Sequence, residues 1–112
     1  MGKGNHLGEF EEIVLLAAAR SEGHGAAIHA EILTATGRDV SIPSVYVTLT
    51  RLQKKGLVKA RVDHAGHERG GRPRKIFDPS PAGIRALQAA RVVHARLWDG
   101  LDFDPLRAGE DA

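Results

Sequence analysis

Apolar residues recur at helical spacing in three successive stretches, each closed by a break. From Leu7 to Arg20, the positions Phe10, Ile13, Val14 and Ala17 fall at i, i+3, i+4 and i+7, one stripe of a helix. Ala17 is small, so that end of the stripe allows close approach of a neighbour. Glu9, Glu11 and Glu12 occupy the first turns, where carboxylates suit the positive end of the helix dipole. The run Ser21-Glu22-Gly23-His24-Gly25 breaks the pattern. A second helix fits Ala26 to Thr36, with Ile28, Ile32 and Ala35 on one face and Gly37 as its stop. A third opens at Ser41-Ile42-Pro43-Ser44, with Ser41 as N-cap and Pro43 tolerated in the first turn, and runs to about Lys55 before Gly56. Its inner face is Val45, Leu49 and Leu52. Pro43, Val47, Thr50 and Lys54 point the other way, flanked by Ser44 and Arg51 on one side and Tyr46 on the other.

The period then changes. Leu57 to Asp63, with Val58 and Val62, reads as a strand, and Arg72 to Asp78, with Ile76 and Phe77, as its return. His64 to Gly71 is the turn-rich connection, in which Gly70 and Gly71 supply permissive backbone angles. Ser80-Pro81 starts a last helix that runs to about Gly100. Along it Leu87, Ala90, His94, Leu97 and Leu101 are spaced 3, 4, 3 and 4, the seam by which helices pack side by side. Residues 102–112 form an acidic tail expected to fray.

Composition narrows the class. The 112 residues, 42% hydrophobic and 27% charged, fit one soluble globular domain. No apolar run is long enough for a bilayer and the first residues lack the apolar stretch of a signal peptide, so a cytoplasmic protein is expected. The absence of cysteine excludes disulfides and thiolate metal sites. Overall charge is +2, but it is unevenly placed: residues 38–76 carry ten Lys and Arg against three Asp and Glu, between acidic flanks of net −3 and −2. A basic central block suggests a polyanion, nucleic acid before membrane. No catalytic triad, carboxylate pair or phosphate-cradling glycine loop is present, and no enzyme is expected. His64 and His67 lie three apart beside Glu68, too sparse a set for a metal site, and no cofactor is implied.

Three helices, a basic hairpin and a further helix follow the winged helix-turn-helix plan: mainly α, a three-helix core with a two-stranded wing, then a C-terminal dimerisation helix. The domain expectation is a DNA-binding unit over residues 1–79, the dimerisation helix over 80–101, and the tail over 102–112. In that plan the third helix enters the major groove and the wing meets the backbone.

Four stretches in this order resemble the PadR-like transcriptional regulators. They are Leu7 to Glu11 leading into Ile13-Val14-Leu15-Leu16; Ser44-Val45-Tyr46-Val47-Thr48-Leu49-Thr50-Arg51-Leu52 through Lys55-Gly56-Leu57-Val58; Gly70-Gly71-Arg72-Pro73-Arg74-Lys75-Ile76-Phe77; and Pro81-Ala82-Gly83 through Leu87. The chain departs from the family at His24-Gly25, where Tyr-Gly is usual, at Val47, where Pro is usual, and at Ile76, where a second wing aromatic is common. Its short C-terminal region resembles the compact subtype, which dimerises through its first and last helices.

The resemblance implies a sequence-specific regulator of double-stranded DNA, a repressor acting as a homodimer on an inverted repeat. The DNA-contacting set is then Ser44, Tyr46, Val47, Thr50, Arg51, Lys54 and Lys55 on the third helix, with Arg72, Arg74 and Lys75 on the wing. The dimer interface comprises Phe10, Leu87, Ala90, His94, Leu97, Trp98 and Leu101. Some relatives hold flat hydrophobic ligands at an interfacial aromatic, so a small hydrophobic effector at Trp98 is one expectation, plain dimer packing the other. His94 reads as an interface histidine with a polar partner, or as a pH sensor. The alternative function is a winged-helix protein-interaction adaptor without sequence-specific DNA binding.

Overall fold

A computed structural model describes residues 6–64 and 73–103. Its elements follow the order α1 (Glu9–Arg20), α2 (Gly25–Thr36), α3 (Ile42–Lys54), β1 (Val58–Asp63), β2 (Arg74–Pro79) and α4 (Pro81–Trp98). This is the mainly α winged helix-turn-helix that the periodicity predicts. Arg72, the turn at Gly70 and Gly71, His67, and the tail from residue 104 lie outside the described residues.

The core is the convergence of the three amphipathic faces. Val14 and Leu15 of α1, Ile28 and Ile32 of α2, and Val45, Leu49 and Leu52 of α3 are fully buried, with Leu57 closing the bottom. Ala17 and Ala18 are buried too, and their small side chains let neighbouring elements approach α1 closely. Ala35 is exposed, against the periodic expectation, because the whole last turn of α2 from Leu33 to Thr36 runs past the core. The caps are local and as expected. The Ser41 hydroxyl accepts from Ser44 N–H at 3.2 Å, and Gly37 closes α2 in the left-handed region with φ 73°.

The wing is antiparallel, pairing Ala60 with Phe77, Arg61 with Ile76 and Asp63 with Arg74. Neighbouring strand residues face opposite sides, yet Ile76 and Phe77 are both buried. Phe77 joins the core, whereas Ile76 lies under the α1–α2 turn at Gly23. Gly23 has φ 90°, its carbonyl accepts Phe77 N–H at 2.9 Å, and a Cβ there would meet Ile76 Cγ2 at 2.9 Å and the Phe77 carbonyl at 3.0 Å. Only glycine fits such a crossing. Val58 is buried but Val62, on the same face of β1, is exposed, since the hairpin projects away from the core as it leaves Leu57.

The root of α4 is clamped to the start of the wing. Ser80 N–H donates to the Leu57 carbonyl (3.0 Å), its hydroxyl donates to the Gly56 carbonyl (2.7 Å), and the same oxygen accepts Gly83 N–H (3.0 Å). Gly83 lies so close to the Leu57 carbonyl that a Cβ would collide with it. Beyond this clamp α4 leaves the body: Ala86 is buried, Leu87 and Ala90 are half-buried, and every residue from Arg91 to Phe103 is exposed.

Candidate nucleic-acid interface

The outward face of α3 follows from its inward one. Val45, Thr48, Leu49 and Leu52 are buried, so Pro43, Val47, Thr50 and Lys54 occupy the opposite line, and all four are exposed. Val47 is 57% exposed. Thr48 lies outside the apolar stripe yet is buried; its hydroxyl is satisfied by the Ser44 carbonyl at 2.9 Å, which lets a polar residue occupy a buried position. The Thr50 hydroxyl donates to the Tyr46 carbonyl at 3.0 Å, and that of Ser44 to the Ser41 carbonyl at 2.7 Å.

Tyr46, 44% exposed, lies across the start of α2, and a Cβ on Gly25 would collide with its phenol ring and hydroxyl. The wing also reaches that helix start. His24 is the N-cap of α2: Nδ1 accepts Ala27 N–H at 3.2 Å. An imidazole whose Nδ1 lone pair is so engaged carries its hydrogen on Nε2. That Nε2–H meets Glu22 Oε1 at 3.1 Å, and Arg74 Nη1 lies 3.0 Å from the same nitrogen. Because the nitrogen already bears a hydrogen, Arg74 gives no hydrogen bond to it, and its guanidinium keeps its donors. Tyr46 of α3 and Arg74 of β2 thus both reach the start of α2, the one at Gly25 and the other at His24. Nothing in the sequence singles out His24 beyond its position just before a helix, since a histidine cap has no strong pattern of its own.

The other cations divide by partner. Lys55 is held by Glu11, its Nζ 2.8 and 2.9 Å from the two carboxylate oxygens, and donates to the His6 carbonyl at 3.3 Å. Glu11 also accepts Gly8 N–H at 2.9 Å. Burial alone would raise the Glu11 pKa, but the hydrogen bonds from Lys55 and Gly8 and the positive charges of Lys55 and Arg51 outweigh it and hold the carboxyl below its ordinary value. Arg61 pairs with Asp78 at 3.1 Å, Arg20 with Glu31 at 2.9 Å, and Arg38 with Glu9 at 3.1 Å. Lys75 lies over the Phe77 ring, 5.5 Å from its centroid, and neither Lys75 nor Lys54 makes an ion pair among the described residues.

The residues expected at a dimer interface fall in two groups. Phe10, Leu87 and Ala90 lie against the body: Phe10 and Leu87 pack on the core, and Arg38 covers the Phe10 ring at 5.7 Å. His94, Leu97 and Trp98 are exposed on the outer half of α4, Leu97 at 68% and Trp98 at 62%. Leu101 is exposed too but does not continue the helical seam, because α4 ends at Trp98 and Gly100 turns the chain with φ 77°. Trp98 meets Phe103 edge-on, with centroids 6.0 Å apart. Between α1 and α4 opens a groove of about 570 Å³, lined by apolar Leu7, Ile13, Leu16, Ala86 and Val93. At its rim His94 Nε2 lies 3.3 Å from Glu12 Oε1. Among the described residues, no helix is long and apolar enough to cross a membrane and no group of three or more His, Asp or Glu could hold a metal ion.

Comparison with known proteins agrees with this architecture. A family model, the transcriptional regulator PadR-like family, matches residues 14–89. No curated protein matches the chain. Two similar solved structures are a PadR family transcriptional regulator from Eggerthella lenta and a PadR-like transcriptional regulator from Bacillus cereus. The first is 24% identical with a TM-score of 0.65, covering 82% of this chain and 77% of its own. The second is 21% identical with a TM-score of 0.64, covering 85% and 93%. At such identities the likeness is one of fold.

Proposed function

The chain belongs to the PadR-like family of transcriptional regulators, a family of non-enzymatic proteins, and on that premise we propose that it is a repressor binding an inverted-repeat operator in double-stranded DNA as a homodimer. The observation that carries the reading is the junction of Tyr46, His24 and Arg74, because it sets the wing and the exposed row of α3 beside one another. Residues 1–79 are the DNA-binding unit. The row Pro43, Val47, Thr50 and Lys54, with Ser44 and Arg51 at its edge, enters the major groove. The Tyr46 hydroxyl, Arg74, Lys75 and Arg72 take phosphates. Lys55, already engaged by Glu11, braces α3 against α1 and contributes charge at a distance.

Residues 80–101, of which Pro81–Trp98 form α4, are the dimerisation segment. Support comes from the exposed Leu97, Trp98 and Leu101, apolar side chains that stand clear of the core among the described residues. Two-fold pairing through α4 and α1 matches a palindromic site. A small hydrophobic effector would have its place in the apolar groove between these helices or against Trp98, and the site of action is chromosomal DNA in the cytoplasm.

Selection of bound fragments from a random duplex pool tests the proposal. An enriched inverted repeat, bound by a dimer more weakly as salt is added, is the expected result. No enrichment of any sequence would overturn it and favour the adaptor reading.

A further inference from the structure

The outward row of α3 is unusual in what it cannot do. Of Pro43, Val47, Thr50 and Lys54, only Lys54 has a hydrogen free to donate. The Thr50 hydroxyl hydrogen goes to the Tyr46 carbonyl and that of neighbouring Ser44 to the Ser41 carbonyl. Both hydroxyls are left with lone pairs alone. Neither is placed to donate to guanine N7 and O6 or to thymine O4, and no amide side chain stands on the row to pair bidentately with adenine. What the row presents at its middle is carbon: Val47, with Pro43 one turn earlier.

The major groove offers one apolar group on its base edges, the C5 methyl of thymine. Charge fixes the occupant as a polyanion: Lys54 closes the same row without an ion-pair partner among the described residues, and the wing adds Arg74 and Lys75. An isolated surface valine is ordinary, but this one stands at the centre of a cation-flanked face.

Resting on the DNA-binding reading above, we infer that Val47 is a specificity-determining residue that reads a thymine methyl group in each half-site. The adjacent Thr50 oxygen, with lone pairs only, accepts from an amino group of a base, adenine N6 or cytosine N4.

The test uses the full chain and the operator recovered by selection. Each half-site thymine is replaced in turn, symmetrically, by deoxyuridine, which removes the methyl and leaves O4 and base pairing unchanged. Affinity is read by fluorescence anisotropy at fixed salt. At one symmetric position the natural protein loses roughly fourfold per methyl, the scale of one buried carbon. In Val47→Ala, thymine and uracil at that position are bound equally. Val47 is exposed, so this variant keeps the natural denaturation midpoint and its binding data are interpretable. Tight operator binding that is indifferent to every uracil replacement overturns the inference and leaves the DNA-binding reading intact. So does a uracil penalty that persists undiminished in Val47→Ala. A pool that enriches no sequence overturns both together.

Discussion

Lys55, at the end of α3, reaches back across 44 positions of sequence to clasp the Glu11 carboxylate, 2.8 Å away, in the first turn of α1. The pair joins the helix that carries the proposed reading surface to the helix at the centre of the core. Glu11 is also tied to the backbone at Gly8, so one buried side chain caps its own helix and anchors another.

The lowered pKa of Glu11 gives a direction to the acid response. The unfolded chain binds a proton at a higher pH than the folded one, so this stabilisation is complete above the ordinary glutamate value of about 4.3 and is lost as pH falls through the lower folded value. Glu11→Gln retains an acceptor for Gly8 N–H but loses the charge pair. It is expected to cost about 1–2 kcal/mol at neutral pH and to lose less stability than the natural protein on acidification. Urea midpoints of both proteins between pH 7 and pH 3 provide the check.

Gly83 is expected to be among the least tolerant positions. A methyl there meets the Leu57 carbonyl, which is backbone and itself bonded to Ser80 N–H. Gly83→Ala should destabilise by roughly 3 kcal/mol despite the better helix propensity of alanine. An unfolding midpoint equal to the natural one would show that α4 can lift from Leu57 at little cost.

Gly25→Ala meets a side chain instead, the half-exposed ring of Tyr46. The ring can swing aside, so the cost should be about 1 kcal/mol. Most of that cost should vanish when Tyr46→Ala is already present. A double-mutant cycle on thermal stability measures the coupling, and additive effects would mean the two do not press on each other.

Arg74→Ala should weaken binding to every duplex by a similar factor and leave sequence preference unchanged. The plot of log affinity against log salt should flatten by about 0.9 for one lost phosphate contact. An unchanged slope would remove Arg74 from the interface.

Leu97→Asp together with Trp98→Asp should leave each protomer folded, since both side chains are exposed and stand beyond the core. On the proposed pairing, sedimentation should report a dimer for the natural chain and a monomer for the double variant, and operator binding should fall with the loss of the second half-site. A double variant that sediments as the natural protein does would move the interface elsewhere.

The elements themselves were legible because their signals are local. Ser41, Gly37 and the Ser80-Pro81 step act within one turn of the residues they cap, and the buried stripes of α1 and α3 repeat at helical spacing. The limits of that reading are equally physical. Ala35 continues the α2 stripe but lies past the edge of its partners, and Val62 continues the β1 pattern on a hairpin that has left the core. Pairings across the fold left no trace in spacing: Lys55 with Glu11, Tyr46 over Gly25, Arg74 beside His24. Lys55 shows the consequence most clearly: charge and position set it beside the DNA-facing residues, and its acidic partner, Glu11, is visible only in the fold.

The clamp at Ser80 makes α4 a lever. Its 18 residues span about 27 Å, and the fixed end is bonded to the same segment, Gly56 and Leu57, from which the wing departs. By that length, a swing of ten degrees at the clamp carries the far end by roughly 5 Å. Two copies joined through their outer helices would translate a small change of angle at one serine into a large change in the distance between their reading surfaces. In such a dimer the fit to successive turns of a duplex would be tuned by a fulcrum remote from any base.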